Sequence, residues 1–156
     1  MKVIQGKHKG TILKGFDING TRPTMDRVKE SLFAMIQNDI YNKSCLDLFA
    51  GSGNLGIEAQ SMQAKQVVFV DHNQTAIKTI KENLSKVHEQ AKVINLDYQK
   101  ALNYFYQNNI TFDIIFLDPP YQTDYIKQSI ELIDKYYILN KNGHLKCESD
   151  AKEKLC

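Results

Sequence analysis

Ser44-Cys45-Leu46-Asp47-Leu48-Phe49, followed at once by Ala50-Gly51-Ser52-Gly53-Asn54-Leu55-Gly56, decides how the rest of the chain is read. The first six residues are a mostly apolar run interrupted at Asp47, short enough for a buried strand. The glycines then stand at the G-x-G-x-x-G spacing, at a point where a strand gives way to a helix from about Leu55 to Met62. That spacing alone is weak, and its place between strand and helix gives it weight. Asp71 ends the next strand, Gln66-Val67-Val68-Phe69-Val70-Asp71, twenty residues after Gly51. An acid there can accept hydrogen bonds from ribose hydroxyls.

The same alternation continues downstream. A helix is expected from about Gln74 to Val87, a third strand over Ala91–Leu96 and a helix from Lys100 to Gln107. A fourth strand, Phe112–Leu117, runs into Asp118-Pro119-Pro120-Tyr121. A helix over about Tyr125–Tyr136 and a weaker fifth strand, Gly143–Glu148, complete the pattern. Strands alternating with helices at this spacing predict an α/β fold built on a doubly wound, mostly parallel sheet. Upstream, Gly6, Gly10, Gly15 and Gly20 punctuate short β-prone pieces and predict a hairpin-like arm. Thr24 is a suitable N-cap for an amphipathic helix running from Met25 to about Asn38. Its apolar stripe is Val28, Leu32, Phe33 and Ile36, with Lys29 and Glu30 assigned to the polar side. With no repeat and no linker, the chain reads as a single domain over 1–156. The arm and first helix fill 1–40, and the core fills 44–150.

Composition narrows the class. A chain of 156 residues, 42% hydrophobic and 24% charged, is ordinary for one globular domain. It has no apolar run of about eighteen residues to span a membrane. Its first residues lack the apolar stretch of a signal peptide, so a cytoplasmic location is expected. Three cysteines, an odd number without C-x-x-C spacing, argue against a disulfide framework or a zinc site. Cys45 and Cys147 are expected to be small buried residues. His8, His72, His88 and His144 have no metal-ligand spacing, and no metal is expected. Charge is uneven: residues 1–30 hold seven Lys/Arg against three Asp/Glu, whereas the whole chain is only +2. Lys7, Lys9, Arg22 and Arg27 thus form a basic segment that either contacts phosphate or is simply solvated.

The glycine-rich loop suggests close approach of a ligand to backbone at Gly51 and Gly53. Asp47, at the strand end beside it, would repel the pyrophosphate of a dinucleotide. The same carboxylate suits a cationic amino-acid moiety, such as the methionine end of S-adenosylmethionine. A nucleotide loop of another type, or glycines needed only for packing, is the alternative. Asp97, just past the third strand, can accept from an adenine amino group or merely cap a turn.

Asp118-Pro119-Pro120-Tyr121 is the most specific feature. Two prolines after an apolar strand make a rigid stretch without N–H donors. The Asp118 carboxylate and the proline carbonyls are then left as acceptors, and Tyr121 offers a flat face for stacking. This set suits an exocyclic amine on a base, whose lone pair is delocalised into the ring. Acceptors on both amine hydrogens favour a pyramidal nitrogen and stabilise the charge that develops there.

Asp47-Leu48-Phe49-Ala50-Gly51-Ser52-Gly53 together with Asp118-Pro119-Pro120-Tyr121 resembles the class I, amino-group-specific methyltransferases of nucleic acids. The upstream Gly6-Lys7-His8-Lys9-Gly10 and Arg22-Pro23-Thr24-Met25-Asp26-Arg27-Val28-Lys29-Glu30-Ser31-Leu32-Phe33 narrow this to a resemblance to the RsmD family, covering the chain to about Asp150. Members of that family methylate guanine N2 at position 966 of bacterial 16S ribosomal RNA. The resemblance implies a Rossmann-like fold and S-adenosylmethionine as cofactor. It places the cofactor on Asp47, Phe49, Gly51, Gly53, Asp71 and Asp97, and the extruded guanine on Asp118, Pro119, Pro120 and Tyr121. Lys7, Lys9, Arg22 and Arg27 would engage the RNA, as naked 16S RNA or an assembling 30S subunit, with the protein acting as a monomer. Relatives of this class carry two further strands after the fifth, and the chain is expected to stop before them, leaving a sheet edge open. A DNA adenine-N6 methyltransferase and a non-catalytic cofactor- or RNA-binding module are the competing readings.

Overall fold

The computed structural model of the chain describes residues 1–15, 25–36, 38–119 and 123–147. Strands β1 (Ser44–Asp47), β2 (Gln66–Asp71), β3 (Lys92–Asn95), β4 (Phe112–Leu117) and β5 (Leu139–Cys147) form one sheet in the order β3-β2-β1-β4-β5. Every neighbouring pair is parallel. The doubly wound α/β expectation holds, because each strand needs a helical crossover to return in the same direction.

The crossovers are α2 (Asn54–Ser61), α3 (Gln74–Lys86), α4 (Tyr98–Gln107) and α5 (Thr123–Lys135), with α1 (Met25–Ile36) ahead of the sheet. They divide the interior into two cores. One gathers Phe33, Ile57, Ile80, Phe69 and Phe116, and so joins α1, α2 and α3 to one face. The other gathers Ala101, Leu102, Phe105, Ile115, Ile133 and Leu117, joining α4 and α5 to the opposite face. Alternation along each central strand sends Phe116 to the first face and Ile115 and Leu117 to the second, which is the period of a β-strand.

Two boundaries and one burial assignment depart most from the sequence reading, each for a physical reason. Helix α4 starts at Tyr98 rather than Lys100, because Asp97 caps it by accepting the Lys100 N–H at 2.9 Å. Strand β5 begins at Leu139, not Gly143. The sequence Asn140-Lys141-Asn142-Gly143 looks like a turn, yet the strand absorbs it as an irregularity: Phe112 pairs Leu139 but Ile114 pairs His144. Asn142 takes φ 68° there. Lys29 is not on a solvated face but fully buried, with its ammonium against the hairpin and α2.

The N-terminal hairpin is knitted into the body rather than appended to it. Val3 and Gly10 N–H groups donate to Thr11 and Val3 carbonyls, and Leu13 N–H donates to Met1. Val3 and Leu13 are buried in the first core. Lys14 exchanges backbone hydrogen bonds with the Asn83 side chain of α3 at 2.8 Å in both directions.

Cys45 is buried and free, and Cys147 is half-buried at the end of β5. Cys147 is disulfide-bonded, where the number and spacing of the cysteines had argued against a disulfide framework.

Candidate active site

Order β3-β2-β1-β4-β5 reverses direction between β1 and β4, so their carboxyl ends open a crevice where connections leave in opposite directions. Residues of three strands converge on it. Asp47 pairs in register with Phe69 on one side and Phe116 on the other. Asp71 and Asp118 each lie two residues beyond those partners, and so flank the loop that leaves β1.

The loop geometry explains the glycine pattern, in part differently from the sequence reading. Gly53 adopts φ 83° as the N-cap of α2, with no side-chain cap of its own. A Cβ there would meet Phe69, Ile57 and Ile80 at ordinary contact distances of 3.4–3.5 Å. The left-handed backbone, rather than a crowded ligand face, is what the structure attaches to this glycine. At Gly56 the demand is packing: a Cβ would fall 2.2 Å from the Phe69 ring. Helix α2 can lie on β2 only without that atom.

Asp47 does not point into open solvent. It is 1% exposed, and its Oδ2 accepts the Gly56 N–H at 3.0 Å, satisfying one of the free donors of the first turn of α2. Its Oδ1 is buried without a hydrogen-bond partner among the described residues. Burial pushes this carboxyl up to about 7; the Gly56 hydrogen bond opposes the rise, and the Asp118 and Asp71 charges add to it. Three mutually repelling carboxyl groups around one loop repel phosphate and attract a cation.

A pH signature follows with a definite sign. Between about 4 and about 7 the folded chain binds more protons at Asp47 than the unfolded chain does. Stability therefore falls as pH rises through that window and levels off above it. Asp47→Asn keeps an acceptor for Gly56 and removes the titration. Thermal melts between pH 5 and pH 8 are expected to show a flatter pH dependence for the variant; equal slopes would contradict the assignment.

Asp71 is held by both oxygens: Oδ2 accepts the Gly51 N–H and Oδ1 the Asn73 N–H, each at 2.9 Å. Its carboxylate is thereby fixed at the rim, with each oxygen able to accept once more. Asp97 serves as the α4 cap, so the turn-capping role is realised, and its remaining lone pairs stay available to a ligand. Pro119 is buried and Asp118 half-buried immediately after β4. Pro120, Tyr121 and Arg22 lie outside the described residues, as does the side chain of Arg27.

Phe49 brings two rings that sequence reasoning missed. Its ring lies 5.3 Å from Tyr98 and 6.1 Å from Tyr125, and these two are 5.4 Å apart. They come from the ends of β1 and the starts of α4 and α5, so the trio stands at the same edge as the carboxylates. Their spacing in sequence gives no pattern; only the fold unites them. The basic residues divide. Lys9 is exposed, whereas Lys7 and His8 both contact Glu89, at 3.0 and 2.7 Å. His8 thus ties the hairpin to the α3–β3 connection instead of standing free for phosphate. Among the described residues no cluster of three or more His, Cys, Asp or Glu is placed to hold a metal, and no helix is long and apolar enough to cross a membrane.

Comparison with known proteins gives a consistent answer. The family described as conserved hypothetical protein 95 matches residues 1–156. YlbH of Bacillus subtilis is 42% identical over 99% of this chain and 85% of that protein. Ribosomal RNA small subunit methyltransferase D of Haemophilus influenzae is 39% identical, over 99% and 81%. The solved structure of yhhF from Escherichia coli superposes with a TM-score of 0.82 at 26% identity, over 97% of this chain and 81% of that one.

Proposed function

This chain belongs to the RsmD family, which bears the description conserved hypothetical protein 95, and on that premise we propose that it methylates the N2 amine of a guanine in 16S ribosomal RNA with S-adenosylmethionine as donor. The observation that carries the reading is the convergence of Asp47, Asp71 and Asp118 on one glycine-rich loop, with a buried Asp47 oxygen that has no partner among the described residues. A sulfonium bearing a free ammonium fits that field, and a nucleoside triphosphate does not.

Asp47, Phe49, Gly51, Gly53, Asp71 and Asp97 would hold the cofactor. Asp71 takes the ribose hydroxyls and Asp97 the adenine amine, with Phe49, Tyr98 and Tyr125 as an apolar surface for the adenine ring. When bound, S-adenosylmethionine supplies an electrophilic methyl group. The protein's part is placement. Asp118 and the carbonyls of Pro119 and Pro120 accept the guanine N2 hydrogens and turn the nitrogen lone pair outward. Tyr121 stacks on the base. Orientation contributes as much as charge, because the lone pair must lie in line with the departing sulfur. Asp118 need not be a strong base, since an amine that has gained a methyl group is acidic. Extruding the guanine costs a few kcal/mol, less from a loop. Lys9, Lys7, Arg22 and Arg27 neutralise phosphates and supply the salt-dependent share of binding.

The test uses the full chain, methyl-labelled S-adenosylmethionine, and 16S RNA or small-subunit particles from cells lacking the enzyme. Label mapped to N2-methylguanine is the expected result; labelled DNA with unlabelled RNA overturns the reading. Arg22→Ala is expected to weaken RNA association and lower the slope of log affinity against log salt by about 1.

A further inference from the structure

Lys29 is 0% exposed, and an ammonium has three N–H donors to satisfy. All three have acceptors, one in the hairpin and two in α2. Nζ lies 2.8 Å from the Lys2 carbonyl in the hairpin, 2.6 Å from Asn54 Oδ1 at the start of α2, and 3.1 Å from Glu58 Oε2 one turn further on. Glu58, also fully buried, in turn accepts the N–H groups of Ile4 at 3.1 Å and Gln5 at 2.8 Å. With no exposure, water cannot replace any of these partners, and the loss of one is costly.

We propose that Lys29 is a positioning residue that couples docking of the N-terminal hairpin to the shape of the glycine-rich loop, so that cofactor affinity depends on the hairpin. The link runs through Asn54, the residue next to the Gly53 cap. Asn54 is 2% exposed, and its Nδ2 has no partner among the described residues. With Oδ1 fixed on Lys29, the direction of that free amide donor is fixed as well. A second hold on the start of α2 comes from the sheet, where Asp47 grips Gly56. Lys29 and Asp47 therefore both fix the first turn of α2, where the loop ends, and only the Lys29 contact answers to the hairpin. Since coupling is reciprocal, a ligand in the loop must also steady the hairpin. The claim about affinity rests on the reading of this loop as the cofactor loop; the claim about coupling does not.

Amide hydrogen exchange on the full chain, without any ligand, tests the coupling. In Lys29→Met, exchange at Gly56 and Ile57 is expected to rise at least ~10-fold more than at Cys45 and Leu46 in β1, which report global stability. Lys29→Arg, which keeps the cation, is expected to restore most of that protection. Loop amides that merely track β1 overturn the proposal. Should Lys29→Met fail to fold, Asn54→Ala decides: it cuts only the loop contact, so the loop loosens while Ile4 and Gln5 keep their protection. An unchanged loop in Asn54→Ala overturns the proposal equally. Titration with S-adenosylhomocysteine is the second arm. Weakening of about 10-fold in Lys29→Met, and slower exchange at Ile4 and Gln5 when the ligand is added to the unaltered chain, support the coupling. Ligand affinity within twofold of the unaltered chain overturns the affinity claim. If the unaltered chain binds no S-adenosylhomocysteine, the functional reading fails, and the exchange arm still decides the coupling.

Discussion

Asp118→Ala is expected to lower methyl transfer by about 10³-fold while S-adenosylhomocysteine binds within about threefold of the unaltered chain. The size follows from the role. A fixed acceptor aimed at charge that develops only during transfer is worth roughly 10²–10³ in rate, and Asp118 also holds the amine in line. The separation of rate from affinity follows from position, because Asp118 leaves β4, whereas the proposed cofactor groups leave β1, β2 and β3. The substitution would also relieve Asp47 of one neighbouring negative charge. Single-turnover transfer with saturating cofactor, together with an independent titration, checks both halves. Normal turnover in the variant would remove Asp118 from the mechanism.

Glu58→Leu should produce the largest loss of stability of any single change considered. It strands the Lys29 ammonium at a site with no exposure and also removes the acceptor of the Ile4 and Gln5 N–H groups. Breaking a buried pair from one side costs about 3–5 kcal/mol. At about 2–4 °C per kcal/mol for a chain of this size, the melting temperature should fall by roughly 6–20 °C. Pairing it with Lys29→Met leaves no orphaned charge and should recover a substantial part of the loss. A double variant no more stable than Glu58→Leu alone would show that the charge is not the cause.

The architecture was readable because its signal is periodic. Val67-Val68-Phe69-Val70 and Ile114-Ile115-Phe116 announce central strands buried on both faces, and the intervening stripes announce helices. Asp47, Asp71 and Asp118 were readable because each closes such a strand, and carboxyl ends of parallel strands gather at one edge. What escaped was anything decided by contacts far apart in sequence. Lys29 sits four residues before the buried Phe33, on the same helical stripe, but a lysine there looks solvated until its partners are known. Glu58 gave a faint sign, as a charge in a helix whose every residue proves buried. Tyr98 and Tyr125 carried none, since they meet only when α4 and α5 begin side by side. The start of β5 at Leu139 escaped for a related reason. The sequence contains the turn residues, and only pairing with β4 shows that the strand runs through them.

The elevated Asp47 carboxyl has a consequence for any titration of the loop with a cation. Near neutrality this group is part protonated, and a positive ligand beside it must expel that proton. Binding heats measured at pH 7 in two buffers of different ionisation enthalpy should then disagree, by an amount proportional to the protons released. In Asp47→Asn the disagreement should shrink. Asp47 thus acts as a proton store within an acidic rim, giving up its hydrogen when a cation takes its place.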